Sequence, residues 1–198
     1  MTAARYERVL IVMAMRYEAQ PLIEALGRHW RPVNVDEELE PPLPMRVWTF
    51  APPQGGEVAV VVTGEDPVHG VDSVATTPAA LATHAGIRRL NPDLVLTVGT
   101  AGALPDRATI GQVFHVGGFR FHDRRIAGIS DDFERYGVYP QDAAPLPVPA
   151  DVSPVVVAVV STGNALNPVA EDFQAMEDHG AILKEMEGAA VAWVAGLH

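Results

Sequence analysis

Two glutamates stand where a carboxylate is unexpected. Glu18 follows the apolar run Arg8-Val9-Leu10-Ile11-Val12-Met13 and aligns with Leu22, Ala25 and Leu26 on one face of a helix read to end near Gly27. Glu187 aligns with Ala190, Val191 and Val194 on one face of a helix read to start at Lys184. A carboxylate on an apolar stripe should be buried, and a buried carboxylate needs hydrogen-bond partners or a chemical task, so Glu187 reads as functional. Glu18 taken alone also reads as a solvated first-turn glutamate favoured by the helix dipole, because Pro21 keeps it near the helix N-terminus. A third feature is Gly99-Thr100-Ala101-Gly102, which closes the apolar run Leu94-Val95-Leu96-Thr97-Val98. Ligands of α/β sheets bind at such strand ends, where small residues allow close approach and leave backbone N–H groups free. Any tight turn after a strand accepts glycine, so these four residues alone leave a binding turn and a plain one equally open.

The elements that must position these groups follow from the hydrophobic pattern. The run 94–98, after the turn signal Asn91-Pro92-Asp93, has the composition of a strand buried on both faces of a parallel sheet. Residues 31–45 are acidic and Pro-rich and read as a surface loop. Val47–Phe50 and Glu57–Thr63 read as a hairpin pair around Pro52–Gly56. The polar turn Gly64–Gly70 precedes a helix through Val74, Leu81 and Ile87. Ile110–Val116 reads as a strand broken by Gly117-Gly118, Tyr139–Pro154 as a loop, Val155–Val160 as a strand ending at Ser161-Thr162-Gly163-Asn164, and Glu171–His179 as a helix. Strands alternating with helices make one α/β domain over residues 1–198.

Composition narrows the class. A length of 198 residues, 48% hydrophobic, suits one domain with a sizeable core. No cysteine is present, so disulfides, thiolate metal sites and a thiol nucleophile are excluded. A net charge of -11 argues against a nucleic-acid surface, which the doublet Arg124-Arg125 is too small to overturn. No apolar run reaches the roughly 20 residues of a membrane span, so a cytoplasmic location is expected. The seven His residues show no ligand spacing; His122-Asp123 reads as a loop hydrogen-bond pair before a metal contact.

Taken together, the strand-end motifs resemble the 5'-methylthioadenosine/S-adenosylhomocysteine nucleosidases of the purine nucleoside phosphorylase superfamily, and the plant-type enzymes most of all. The shared segments run in order: Ala14-Met15 with Glu18-Ala19 and Pro21-Leu22, Gly70–Val74, Asn91-Pro92-Asp93, Gly99–Gly102, Phe121–Ile126, Tyr136-Gly137-Val138, Ser161-Thr162-Gly163 and Met186–Ala192. The resemblance implies a three-layer α/β/α fold with a central mixed sheet and hydrolysis of an N-glycosidic bond, releasing adenine and a 5-alkylthioribose. It implies no cofactor and no metal. Glu18 matches the base that deprotonates the attacking water, and Glu187 the carboxylate that grips the ribose hydroxyls. Thr100, Ala101 and Gly102 match the turn lining the water and ribose site. Met186 matches the residue under the sugar, Leu166 the residue covering adenine, and Asn164 a polar group beside it. A homodimer is also implied, with the segment His122–Ile126 closing a partner's 5'-substituent pocket. The chemistry agrees: a breaking C1'–N bond leaves a cationic sugar, which carboxylates in a dry pocket stabilise.

Two departures stand out. The family's Asp after Ser-Thr/Ser-Gly is here Asn164, and the chain ends at His198, where the family continues into a strand carrying an acidic Asp and a final helix. The expectation is therefore a C-terminally shortened nucleosidase domain without a residue at the acid position. A catalytically silent nucleoside-binding protein and another purine nucleosidase or phosphorylase are the alternatives. The turn Gly64-Glu65-Asp66 is acidic, which disfavours a phosphate co-substrate.

Overall fold

A computed structural model describes residues 6–126, 128–146 and 156–198. The chain divides into two compact units, one formed by residues up to Thr100 with Val194–His198, the other by Ala101–Trp193. Each carries a mixed five-stranded sheet with helices, the α/β class that the alternating pattern predicts.

In the first unit, β1 (Arg8–Met13), β2 (Arg31–Glu38), β3 (Arg46–Ala51), β4 (Glu57–Val62) and β5 (Leu94–Thr97) form a sheet in the order β2-β3-β4-β1-β5. β1 is parallel to β4 and β5, and β3 is antiparallel to β2 and β4. Helix α1 (Arg16–His29) brings Ala19 and Ile23 onto Ile11, Met13, Trp48, Phe50, Val58, Val60 and Val62. Alternation along β1 sends Leu10 to the other face, where it meets helix α2 (Thr76–Leu90) at Gly86. A Cβ at Gly86 would come within 2.8 Å of the Leu10 methyls, so glycine sets how closely α2 approaches the sheet.

Four expectations change here. Residues 31–38 are a strand, not a loop: its pairing with β3 carries two irregularities, which erase the period-2 signal, and Val33 and Val35 stay exposed on the sheet edge. The strand 94–97 is an edge strand and half-buried, not buried on both faces, although its pairing with β1 is parallel as expected. Helix α2 starts at Thr76, leaving Val74 ahead of it and exposed. Helix α1 continues two residues past Gly27, and Pro21 lies inside it. The turn signal at Asn91 has a physical basis. Asn91 takes the left-handed conformation that ends α2, and the Asp93 carboxylate accepts the N–H groups of Glu7 and Arg8 at 2.9 and 2.8 Å, clipping the start of β1.

The second unit holds β6 (Gly102–Ala103), β7 (Phe114–Phe121), β8 (Gln141–Asp142), β9 (Val156–Thr162) and β10 (Leu183–Glu185) in the order β6-β10-β9-β7-β8, with helices α3 (Asp131–Val138) and α4 (Ala170–Asp178) and, up to Trp193, helix α5 (Gly188–Gly196). Its small core is Ala158, Val160 and Leu183, flanked by Phe114, Val116, Phe119 and Ile182. The strand expected at Ile110–Val116 begins only at Phe114, Ile110 being fully exposed, and it runs through Gly117-Gly118 as a bulge. A Cβ at Gly117 would collide with Val157, so glycine here admits the bulge and does not end the strand. Of the loop expected at 139–154, residues 147–154 lie outside the described residues, as does Val155, and Gln141–Asp142 is a short strand. Lys184-Glu185 belong to β10, so the last helix starts at Gly188. Three residues are too few to show a strand period, and pairing with β9 and β6 decides the matter.

Candidate active site

In the first unit, the helix turn after β1 and the turn after β5 bring Glu18 and Thr100 together. Glu18 Oε1 accepts the Thr100 backbone N–H at 2.9 Å and the Thr100 hydroxyl at 2.5 Å. Two donors on one oxygen fix the plane of the carboxylate. Its second oxygen faces Gly99, where an added Cβ would lie 3.5 Å away. The half-buried Glu18 is therefore not the freely solvated first-turn residue of the plain reading, because its carboxylate is tied to the strand-end turn.

The turn Gly64–Gly70 shows why acidic residues sit there. Asp66 Oδ1 accepts the N–H groups of Val68 and His69 at 3.0 and 2.8 Å, and those bonds hold its carboxyl below the ordinary range. An oxygen facing the loop's own donors leaves them unavailable to an anion.

In the second unit, the end of β9, the loop after it and the end of β10 form a connected polar cluster. Its central carboxylate is that of Glu185. Its Oε2 accepts the N–H groups of Glu187 and Gly188 at 2.7 and 2.5 Å, and its Oε1 accepts the Thr162 hydroxyl. Glu187 is half-buried and precedes α5, its carbonyl accepting the N–H groups of Ala190 and Val191 at 2.9 and 3.1 Å, and its Oε2 the Met186 N–H at 3.3 Å. Glu187 is half-buried where the pattern predicts burial, and it stands just ahead of the helix, which starts at Gly188 and not at Lys184. Met186 is likewise half-buried, while Ala101 and Gly102 are exposed and Gly102 pairs with Lys184.

Asn164 donates to Asp123 Oδ2 through its backbone N–H at 2.6 Å and its amide at 3.1 Å, tying the loop after β9 to the end of β7. Leu166 is 77% exposed, and the loop beneath it is held by Lys184, whose Nζ donates to the carbonyls of Ala165 and Leu166 at 2.5 and 3.2 Å. His122 does not pair with Asp123, as the sequence suggested. It is buried, its Nδ1 lies 3.1 Å from Ser161 Oγ, and burial pushes its imidazole down, toward the neutral form. Gly163 is required beside it, since a Cβ there would enter the His122 ring. Among the described residues no group of three His, Cys, Asp or Glu could hold a metal ion.

Pattern reading missed Lys184 and Glu185, and it gave Asp123 the wrong partner. Their only signal was adjacency to the motifs, because Lys184 holds carbonyls of a distant loop and Glu185 joins the N–H groups of Glu187 and Gly188 to the distant Thr162 hydroxyl.

Two expected results follow from this cluster. Asp172 is buried, accepts the Val169 N–H at 3.0 Å at the start of α4 and pairs with Arg125. Burial opposes its charge, but that N–H, His122 and Arg125 outweigh it and hold the carboxyl below its usual range. Asp172→Ala removes cap and ion pair together and should lower the unfolding free energy by about 2–4 kcal/mol, read from the urea midpoint. For Glu185 the sign is opposite: burial pushes its carboxyl from 4.5 up to about 7, against the lowering effect of Thr162, Glu187 and Gly188. The folded state then keeps a proton that the unfolded chain has lost, so the stability from this site is complete below pH 4.5 and lost as pH rises to about 7. Glu185→Gln cannot ionise and should gain on the wild type across that window by on the order of 3 kcal/mol, seen as a growing Tm difference between pH 4.5 and 8.

Comparisons place these clusters in a family. A family profile described as "Phosphorylase superfamily" matches residues 8–198. The 5'-methylthioadenosine/S-adenosylhomocysteine nucleosidase of Arabidopsis thaliana is 35% identical over 193 residues, covering 96% of this chain and 72% of its own length. The chain belongs to the 5'-methylthioadenosine/S-adenosylhomocysteine nucleosidase family. A second Arabidopsis thaliana member of the family, a 5'-methylthioadenosine nucleosidase, is 37% identical over 190 residues, which cover 96% of this chain and 69% of that one. The structure of Arabidopsis thaliana 5'-methylthioadenosine nucleosidase in its apo form superposes with a TM-score of 0.84 at 35% identity, covering 98% of this chain and 78% of that one.

Proposed function

We propose that the protein hydrolyses the N-glycosidic bond of 5'-methylthioadenosine or a related 5'-modified adenosine such as S-adenosylhomocysteine. The observation that carries the reading is the Glu18 carboxylate, oriented by two donors from Thr100 at the end of β5, in a chain of this nucleosidase family. A water beside the second Glu18 oxygen gives up a proton as its oxygen bonds to C1'; the C1'–N9 electron pair leaves with adenine, which gains a proton overall. Positive charge grows on the sugar as that bond stretches. Glu187, at the start of α5, holds the ribose hydroxyls and stabilises this charge.

In this reading Thr100, Ala101 and Gly102 line the water and ribose end, Met186 packs under the sugar, and Leu166 and the loop from Asn164 cover the base. The 198 residues belong, in this reading, to one nucleosidase domain, which works in the cytoplasm as a homodimer. The exposed side chains of Ile110 and Val113 suit a surface that a second copy covers.

Adenine release from 5'-methylthioadenosine by the purified chain, with Glu18→Ala as control and calorimetry alongside, tests the proposal. Release that vanishes in the control supports it. Binding without release in the wild type overturns it in favour of a nucleoside-binding protein.

A further inference from the structure

Glu185 has no assigned part in the proposed reaction, yet the start of α5 and the end of β9 meet on its carboxylate. One oxygen accepts the N–H groups of Glu187 and Gly188, and the other accepts the Thr162 hydroxyl. Thr162 Oγ1 accepts in turn from the Ala189 N–H at 2.9 Å. The first N–H groups of a helix have no partner within it, and a side chain at the preceding residue ordinarily accepts one of them. Here Glu187 precedes the helix, but Glu185 and Thr162 supply the accepting oxygens. The Glu187 side chain accepts the Met186 N–H. Its backbone is held on both sides, by Glu185 at the N–H and by Ala190 and Val191 at the carbonyl. Gly188 completes the fit, since a Cβ there would lie 2.9 Å from the Phe119 ring and 3.2 Å from the Glu185 carboxylate.

We propose that Glu185 is a positioning residue: with Thr162 it clamps the backbone of Glu187 and so sets where the Glu187 carboxylate meets the sugar. The inference rests on the nucleosidase reading for the role of Glu187, and on the hydrogen bonds alone for the clamp. Displacing a catalytic group by about 1 Å can cost on the order of 10²-fold in rate, so a clamp of this kind acts on kcat more than on KM.

The test is a double-mutant cycle on the full chain, read as kcat and KM for 5'-methylthioadenosine. Glu185→Ala should lower kcat/KM by about 10–100-fold, chiefly through kcat. Glu185→Gln should recover to within about 5-fold of wild type, because its amide oxygen accepts the same N–H pair and its amide nitrogen donates to Thr162. With Glu187 already changed to Gln, Glu185→Ala should cost less than about 3-fold, since the residue it aims is gone. Losses that multiply, or a Glu185→Ala enzyme within about 3-fold of wild type, overturn the proposal. Should Glu185→Ala fail to fold, Thr162→Val takes its place in the same cycle. If the wild type releases no adenine, the nucleosidase reading fails separately. Amide exchange then decides the clamp: faster exchange at Glu187 and Gly188 in the variant supports it, and unchanged exchange overturns it.

Discussion

Glu18→Gln should lower kcat for adenine release by about 10²–10⁴-fold and leave KM nearly unchanged. The amide oxygen of Gln can still accept the Thr100 N–H that Glu18 Oε1 takes at 2.9 Å, so the side chain keeps its place. What it loses is the capacity to take a proton from water. A loss confined to kcat marks a group acting in the transition state alone, whereas a rise in KM would mark ordinary binding. Thr100→Val separates orientation from basicity. It removes the hydroxyl donor but keeps the backbone N–H and the carboxylate, so a loss of about 10-fold is expected. Steady-state assays with the three proteins side by side check both, and a Gln variant within about 10-fold of wild type would remove Glu18 from the base role.

The second large effect belongs to Glu187→Ala. Removing one group that stabilises developing charge typically costs on the order of 10²–10³ in kcat, and the same scale applies to a carboxylate opposite a cationic sugar. The variant should also lose discrimination. A site built to hold hydroxyls rejects a substrate lacking them because its polar groups are left unpaired, and with Glu187 absent that penalty disappears. The ratio of kcat/KM for 5'-methylthioadenosine to that for its 2'-deoxy analogue should collapse toward one. The fold should survive, because the turn is fixed through backbone N–H groups by Glu185 and Thr162 and not through the Glu187 side chain. An unchanged ratio in a folded variant would take Glu187 off the ribose.

Local chemistry made much of this legible in the sequence. The apolar runs of β1, β3 and β4 and the amphipathic stripe of α1 are local signals, and they appear as strands and helix in the structure. Asn91-Pro92-Asp93 read as a turn because Asn tolerates the left-handed conformation and Asp accepts nearby backbone donors. β2 was illegible because its bulged edge pairing destroys the period, and β10 because three residues hold no period at all. One helix start moved from 184 to 188, and that shift puts Glu185 at the end of β10 and Glu187 just ahead of the helix.

The sequence by itself therefore determined the α/β class, the family and the site-bearing motifs, since each rests on residue type and short-range spacing. Only the tertiary structure decided which oxygen meets which donor. Glu18 reaches across 82 positions to Thr100, Asp123 across 41 to Asn164, and Thr162 across 23 to Glu185. Pairings at such separations leave no local periodicity. They follow from strand register and from the cost of leaving buried donors and acceptors without a partner once the sheets have formed.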